Sequence, residues 1–449
     1  RRAGLRLPLP RLSLLGAALT ACVFLTGSLA AQALRLPTAP VRPDVLIVVI
    51  DDVADSDIDD VSAAGWTPNI DQLAAEGVRF RRAYAHAKCA PTRDSLYYSR
   101  WLGLDRGDAC APPVLDSHSP ADYSLPEVLE GLGYRTLHVG KWHVGASSRD
   151  TWFLSPELAG FDHVRNGVPV GPECNLVGGD QPRLDDGAYS VFNGDNTLAC
   201  RDAFLDWWAA TPAPRLAVVN FGAAHAPFKY PAAELLPPGY PPCGLINCTN
   251  RREYEAEIVG VDTALGQMRA AIGLGTFVIF LGDNGTPGLV PGQSPDVTVA
   301  TRPEQDPARV KLTCYEDGVR VPLIIAGPKV VPGESQALVH VLDIMPTVAR
   351  MVGAQPLPEA SSGLVQGVSF AAALIGLPGP RQDVFVWNPP PRLDRAVIER
   401  RWKLLTREDG VEELYDLMID PLEQNPLPPV GMDADRLRAR RAQVEAGGA

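Results

Sequence analysis

Five short stretches, most of them unbroken runs of apolar residues, constrain this chain more than any other feature: Val45 to Ile50, Arg135 to Val139, Leu216 to Phe221, Phe277 to Leu281 and Val321 to Ile325. A strand with one wet face alternates apolar and polar residues, so continuous runs belong to strands covered on both faces by helices. Helical patterns fall between the runs, at Asn69 to Glu76, Thr92 to Leu102, Leu125 to Leu132, Arg252 to Ile272 and Leu342 to Met351. The order reads as an α/β fold, a large mixed and mostly parallel sheet flanked by helices. Gly167 to Asp186 and Thr286 to Arg309 read as long loops that interrupt it. The texture changes after Gly376. Val384 to Trp387, Ala396 to Leu405 and Glu412 to Leu417 suggest antiparallel strands, and Asp433 to Val444 a closing helix. Of the 449 residues, those after the first 33 therefore divide into a large α/β domain over 34–366 and a small C-terminal α+β domain over 367–449.

The first 33 residues contain four arginines (Arg1, Arg2, Arg6, Arg11), no acid, and an uncharged, mostly apolar stretch that ends in small residues. That layout is an export signal, with Leu19-Thr20-Ala21-Cys22 as a lipoprotein alternative and an uncleaved anchor as a third. Each places the folded domain outside the cytoplasm, and membrane contact is expected only through this segment. Without those four arginines the formal charge moves from −12 to −16. Such a surface repels phosphate backbones, which excludes nucleic acid as a partner and means that any anion must be held by a few placed cations. Of eight cysteines, setting aside Cys22 and Cys89 leaves six, enough for three disulfides in an exported chain. Cys243 and Cys248 suit a local loop closure.

Polar residues gather at the ends of the expected strands. The first strand runs into Asp51-Asp52, and the one from Phe277 into Gly282-Asp283-Asn284-Gly285. Ligands of open α/β sheets collect at the carboxyl ends of strands, so two such pairs meet around one cation, and oxygen-only ligands suit Ca²⁺ or Mg²⁺. Ordinary turns and caps use the same residues. Cys89-Ala90-Pro91-Thr92-Arg93 opens a helix whose free amides face anions, and Arg93 adds a guanidinium shaped for a tetrahedral oxyanion. A disulfide or a buried thiol is the competing use of Cys89. Gly140-Lys141-Trp142-His143 and Ala224-His225-Ala226-Pro227 each follow a strand, and Lys311 stands apart. Singly, none of these implies chemistry.

In combination these segments resemble the type I sulfatase family. Cys89-Ala90-Pro91-Thr92-Arg93 with Ser95-Leu96 is similar to the signature C-x-P-S-R-x-S-L, and Gly133-Tyr134-Arg135-Thr136 through Gly140-Lys141-Trp142-His143-Val144-Gly145 to the second signature. Asp51-Asp52, Gly160-Phe161-Asp162, His225-Ala226-Pro227, Asp283-Asn284-Gly285, Lys311 with Tyr315 to Pro322, Asp343 with Pro346-Thr347, and Glu413 to Leu417 with Asp420-Pro421 follow in family order. One short motif is weak evidence; this many in sequence is not.

The resemblance implies an alkaline-phosphatase-like fold and a Cys89 oxidised by a formylglycine-generating maturation enzyme. A thiolate would form a sulfated adduct that is hard to release, whereas a hydrated aldehyde offers one hydroxyl to attack sulfur and a second to collapse the adduct and expel sulfate. The resemblance further implies a Ca²⁺, with Mg²⁺ as the alternative, held by Asp51, Asp52, Asp283 and Asn284 beside the modified Cys89. By the same carry-over Asp283 activates the attacking hydroxyl, and Arg93, Lys141, Lys311 and His143 neutralise the sulfate. His225 with Lys311 protonates the leaving oxygen, and His143 takes the proton that triggers collapse. The chain departs from the family pattern at Thr92, at Tyr97-Tyr98-Ser99 where an apolar residue and Thr-Gly are common, and at Asp317 where Gly is usual. Thr92, Tyr98 and Ser99 lie where the maturation enzyme reads its substrate. The leading reading is an exported hydrolase of a small-molecule or carbohydrate sulfate ester. Its alternatives are a phosphate or phosphonate ester hydrolase and a non-catalytic, metal-stabilised binding protein.

Overall fold

In the computed structural model, residues 42–101, 124–144, 155–168, 181–192, 194–243, 248–289, 299–354, 365–388 and 393–446 are described. The expected export signal, Cys22, Cys110 and Cys174 lie outside them. The chain begins with β1 (Val45–Ile50), α1 (Asp55–Ala63), α2 (Pro68–Glu76), β2 (Val78–Phe80), β3 (Ala83–Tyr84) and α3 (Cys89–Tyr98). It continues through α4 (Leu125–Glu130), β4 (Arg135–Lys141), α5 (Ser155–Leu158), β5 (His163–Val168), β6 (Gln181–Asp185), β7 (Ala188–Phe192) and α6 (Asn196–Ala210). Next come β8 (Arg215–Asn220), α7 (Asn250–Ala271), β9 (Phe277–Gly282), α8 (Glu316–Val319), β10 (Leu323–Ala326), β11 (Gly333–Ser335), β12 (Val339–His340) and α9 (Ile344–Met351). The last elements are β13 (Asp383–Trp387), β14 (Arg395–Glu399), β15 (Trp402–Thr406), β16 (Glu412–Asp416) and α10 (Met432–Glu445).

Ten strands form one sheet in the order β11-β2-β10-β9-β1-β8-β4-β5-β6-β7. Its centre, β9-β1-β8-β4-β5, is parallel, and the flanks are mixed: β10 runs antiparallel to β9, and β6 and β7 close the far edge as a hairpin. Val45, Ile47 and Val49 of β1 enter one apolar core and Leu46, Val48 and Ile50 the other. The unbroken run is thus explained by helices on both faces, as expected of a parallel centre. The parallel arrangement also sends the ends of β1, β4, β8 and β9 to the same edge of the sheet.

The C-terminal strands make a four-stranded antiparallel meander, β13-β14-β15-β16. One face shares a core with Tyr84, Cys314, Tyr315 and Val319, and the other packs on α10 through Leu437 and Val444. The stretch Ala396 to Leu405 is two strands rather than one, because Arg400-Arg401 turn between β14 and β15.

Other sequence expectations are corrected. Part of the loop expected over Gly167 to Asp186 is strand: β5 pairs with β4, and β6 pairs with β7 across a turn at Asp186 and Gly187, both at positive φ. Gln181 to Asp185 is next to last in the sheet, in the hairpin that closes its far end, and its apolar patterning is weak. The helix expected over Thr92 to Leu102 starts at Cys89 and stops at Tyr98. Ser99 ends it in the left-handed region (φ 54°), at the position where the family has glycine, and its hydroxyl donates to Leu342 O at 2.7 Å. One disulfide, Cys243–Cys248, is present among the described residues, whereas Cys200 and Cys314 are buried free thiols rather than bridge partners. Cys200 accepts from Asn166 Nδ2 and Cys314 donates to Asp394 O, so each has a local polar neighbour in place of a second sulfur.

Candidate active site

Asp51 and Asp52 follow β1 directly. Successive strand side chains point to opposite faces, and the left-handed backbone at Asp52 (φ 60°) breaks that alternation, so carboxylates of both reach Cys89. Asp283 and Asn284 arrive from β9. Asp283 Oδ1 accepts from Asp52 N at 3.1 Å, and Asn284 Nδ2 donates to Asp52 Oδ1 at 2.7 Å. Asp51 N and Ala224 N exchange 2.8 Å hydrogen bonds with Ala223 O and Asp51 O, which lays the loop after β8 alongside and brings in His225. Lys311 is placed by its own amide on Thr286 O and by Leu312 N on Ala87 O, both at 2.9 Å.

Cys89 is the first residue of α3, and its Sγ lies 3.7 Å from Asp51 Oδ1. Pro91 sits in the first turn, where a missing N–H costs nothing because first-turn amides have no partner within the helix. One turn on, Arg93 is wholly buried. Its Nε donates to Asp283 Oδ2 at 2.9 Å, its Nη1 to Asn220 Oδ1 at 2.9 Å and Lys141 O at 3.0 Å, and its Nη2 lies 3.6 Å from Asp51 Oδ2. Lys141 Nζ bonds Asp51 Oδ2, and Lys311 Nζ is 2.5 Å from Asp52 Oδ1. His225 Nε2 is 3.8 Å from Asp52 Oδ2, and its Nδ1 donates to Ala226 O at 2.6 Å. His143, just past β4, lies within the fields of Lys141, Arg93, Lys88 and His225. The ten residues singled out from the sequence, Cys89 among them, thus gather in one cluster.

Burial pushes the Cys89 thiol up to about 12, with Asp51 and Asp283 adding to the shift and Lys141 and Lys311 opposing it. Burial and the charge of Asp51 raise the Asp283 carboxyl. Burial would raise Asp52 too, but Lys311, His225 and Lys141 hold it below its ordinary value. Burial and neighbouring cations lower both His143 and His225. Arg93 Nη2 is 2.8 Å from Asp283 Oδ2, whereas two buried polar atoms here, His143 Nδ1 and Asn284 Oδ1, make no hydrogen bond among the described residues. Unpaired buried polar atoms are costly, and clustered ones mark a place for a ligand.

Three supports stand behind these residues, and of them only Gly140 belongs to a motif singled out from the sequence. Asp57 accepts from Tyr254 OH, Thr286 Oγ1 and Arg251, while Tyr254 OH also reaches Asp52 O at 3.0 Å, so this cluster props both acidic pairs from below. Asn220, last in β8, backs Arg93. Gly140 (φ 85°) lets β4 pass close to β8: a Cβ there would lie 2.1 Å from Asn220 O. Gly140→Ala is expected to cost about 2–5 kcal/mol in chemical denaturation, from the left-handed backbone and the overlap together.

The profile of the sulfatase family matches residues 43–354. Arylsulfatase A of Bos taurus is 30% identical over 391 residues, covering 80% of this chain and 73% of the relative. N-acetylgalactosamine-6-sulfatase of Sus scrofa is 26% identical over 390 residues, covering 77% and 69%. Among solved structures, Ps i-CgsB in complex with k-i-k-neocarrahexaose superposes with a TM-score of 0.72 at 21% identity, covering 91% of this chain and 94% of that one.

Proposed function

The chain belongs to the sulfatase family and is a sulfuric ester hydrolase, and from that premise we propose that it acts outside the cytoplasm on a sulfate monoester of a carbohydrate or an aryl alcohol, with an aldehyde made from Cys89 as nucleophile and a divalent cation beside it. The observation that carries the proposal is the meeting of three buried carboxylates and three buried cationic side chains around Cys89 Sγ. Asp51, Asp52, Asp283 and Asn284 would hold the cation. Their donors are all oxygen, and the unpartnered Asn284 Oδ1 is one of them, which suits Ca²⁺ with Mg²⁺ as the smaller alternative. Arg93, Lys141 and Lys311 already balance the three carboxylates, so a divalent cation would leave positive charge that an anionic sulfate ester neutralises. Bound there, it would act as a Lewis acid on a sulfate oxygen. A thiol held protonated is a poor nucleophile, which supports conversion of Cys89 by a maturation enzyme.

Arg93, Lys141, Lys311 and His143 hold the sulfate and take up the charge that develops on it. Asp283, raised toward neutrality, accepts the proton of the attacking hydroxyl. His225 keeps its Nδ1 hydrogen on Ala226 O, so Nε2 is the atom that faces the leaving oxygen; it gives a proton there only as the imidazolium, after taking one up, with the Lys311 ammonium close by as a second proton source. His143 takes the proton whose loss lets the sulfated adduct collapse. The Cys243–Cys248 disulfide supports an oxidising, extracytoplasmic setting. No helix among the described residues is long and apolar enough to cross a membrane. The similarity to N-acetylgalactosamine-6-sulfatase and to a structure holding neocarrahexaose favours a carbohydrate substrate.

The test is hydrolysis of an aryl sulfate beside its matched phosphate, by protein co-produced with a formylglycine-generating enzyme. Sulfate is expected to be the better substrate. Dominant phosphate turnover would instead favour a phosphate or phosphonate ester hydrolase, and cation binding with neither activity a binding protein. Dialysis against a chelator is expected to lower sulfate turnover roughly 100-fold or more, with recovery on adding Ca²⁺.

A further inference from the structure

Behind Arg93, on the side away from Asp283, lies a closed polar chain formed by side chains that the reaction itself does not use. Asn220 Oδ1 accepts from Arg93 Nη1, and Asn220 Nδ2 donates to Tyr97 OH at 3.0 Å. Tyr97 OH lies 3.5 Å from His138 Nδ1, Asn220 Nδ2 lies 3.4 Å from the same nitrogen, and His138 Nε2 is 3.3 Å from Gly140 O. Only one assignment of protons satisfies every member. Arg93 has nothing but donors, so the amide oxygen of Asn220 must face it and the amide nitrogen must face Tyr97 and His138. Gly140 O can only accept, so His138 carries its hydrogen on Nε2 and leaves Nδ1 as an acceptor for Tyr97 O–H. The chain of donors therefore runs from Arg93 and from Tyr97 inward, and it ends on the backbone of Gly140, one residue before Lys141, whose own carbonyl accepts from Arg93 at 3.0 Å.

Trp142 and Phe161 close the cluster. The His138 ring meets them edge-on at centroid distances of 5.0 and 5.4 Å, and all three chain members are buried. Burial also pushes His138 down to about 3, so the ring stays neutral and keeps its acceptor. In so dry a setting the bonds are strong and a missing partner is costly. Tyr97 stands where the family pattern has an apolar residue, so this chain supports its arginine with polar contacts where hydrophobic packing is usual.

We propose that Tyr97 and His138 are positioning residues for sulfate hydrolysis: through Asn220 they fix the plane of the Arg93 guanidinium against Cys89 and Asp283, and so set where its charge meets the transition state. The inference rests on the proposed function. The loss of an outer-shell partner of this kind commonly costs 10–100-fold in activity. The experiment compares His138→Leu, His138→Asn and Tyr97→Phe with wild type, each normalised to its aldehyde content by mass spectrometry. Aryl sulfate kinetics, thermal melting and inhibition by inorganic sulfate are read for every protein. His138→Leu is expected to lower kcat about 10–100-fold, and Tyr97→Phe about 3–10-fold, with kcat falling more than KM rises. His138→Asn, whose Oδ1 falls near the position of Nδ1, is expected to recover most of the loss. Inhibition by sulfate is expected to weaken in step with kcat while the melting temperature does not follow.

Full kcat in both His138→Leu and Tyr97→Phe would overturn the proposal, as would losses that track melting or an Asn variant as poor as Leu. A wild type that turns over phosphate instead would sink the sulfatase reading alone, because the same comparison then runs on the phosphate. A wild type that neither turns over nor binds a tetrahedral oxyanion would overturn both.

Discussion

Cys89→Ala, made in protein whose wild type carries the aldehyde, is expected to reduce aryl sulfate turnover by roughly 10⁴-fold or more, because nucleophile and charge clamp act as one unit and the clamp has nothing to act on without the nucleophile. Fold damage does not explain such a loss. The side chain is 2% exposed, and the substitution removes only the polar atoms on one β-carbon at the start of a helix whose other contacts remain, so melting is expected to move by under about 3 °C. Wild-type protein produced without the maturation enzyme should be as inactive as the variant. With its thiol pushed up to about 12, the unmodified side chain stays almost entirely protonated at pH 7 and offers little thiolate. That thiolate would end as a stable sulfated cysteine rather than turn over. Retention of sulfate turnover by Cys89→Ala, with mass spectrometry confirming the substitution, would remove Cys89 from the chemistry.

What the sequence disclosed of this site follows from how the site is built. The acidic pairs, Cys89, Lys141 and His225 each lie within a few residues of a strand end or a helix start, and a parallel sheet brings those ends together whatever the loops do. Local patterning was therefore enough to locate them, and family order to join them. Asn220, Tyr97 and His138 were not found, because each acts through side chains distant in sequence and sits within a strand or helix whose pattern already has an explanation, and Asp57 was not found because its helix was itself overlooked. The same distinction holds for the fold. Runs buried on two faces, such as Val45 to Ile50, identified the sheet, whereas Gln181 to Asp185, in the hairpin at the sheet's far end and with Pro182 and few apolar residues, passed for loop. Helix α1, with sequence Asp-Ser-Asp-Ile-Asp-Asp-Val-Ser-Ala, was missed because only Ile58 and Val61 supply an apolar face, while its acids are held by Arg79, Arg81 and Arg251 from other elements. Six cysteines suggested three bridges, but Cys200 and Cys314 fill core positions as thiols, a use that counting cysteines does not distinguish from pairing.

Lys403→Met is expected to lower the unfolding free energy by about 3–5 kcal/mol, the usual consequence of leaving a buried charge without its partner. Lys403 is wholly buried in β15, and its Nζ lies 3.0 Å from Glu316 Oε1 and 2.8 Å from Glu423 Oε1. One ammonium thus joins two carboxylates that also meet through the bond from Glu316 N to Glu423 Oε2 at 2.6 Å. Burial, helped by the charge of Glu316, already pushes Glu423 up to about 7 against the pull of Lys403, and the methionine variant would raise it further. A carboxyl raised in the folded state contributes its stability below its unfolded value near 4.3 and loses it as pH rises through the folded value. The defect should therefore be larger at pH 8 than at pH 5.5 in denaturant melts, and adding Glu423→Gln should restore part of the loss at pH 8. A defect independent of pH, or a double variant worse than the single, would mean that packing rather than charge is at stake. The effect should also reach the active site. Glu316 opens α8, and the backbone around it holds the loops that carry Asn284 and Lys311: Gly285 N donates to Gly318 O, Thr286 N to Asp317 O and Lys311 N to Thr286 O. Sulfate turnover in Lys403→Met is thus expected to fall together with stability, although Lys403 belongs to the C-terminal meander and touches none of the ten site residues, because the ion triad is the fixed point from which the Lys311 loop is hung.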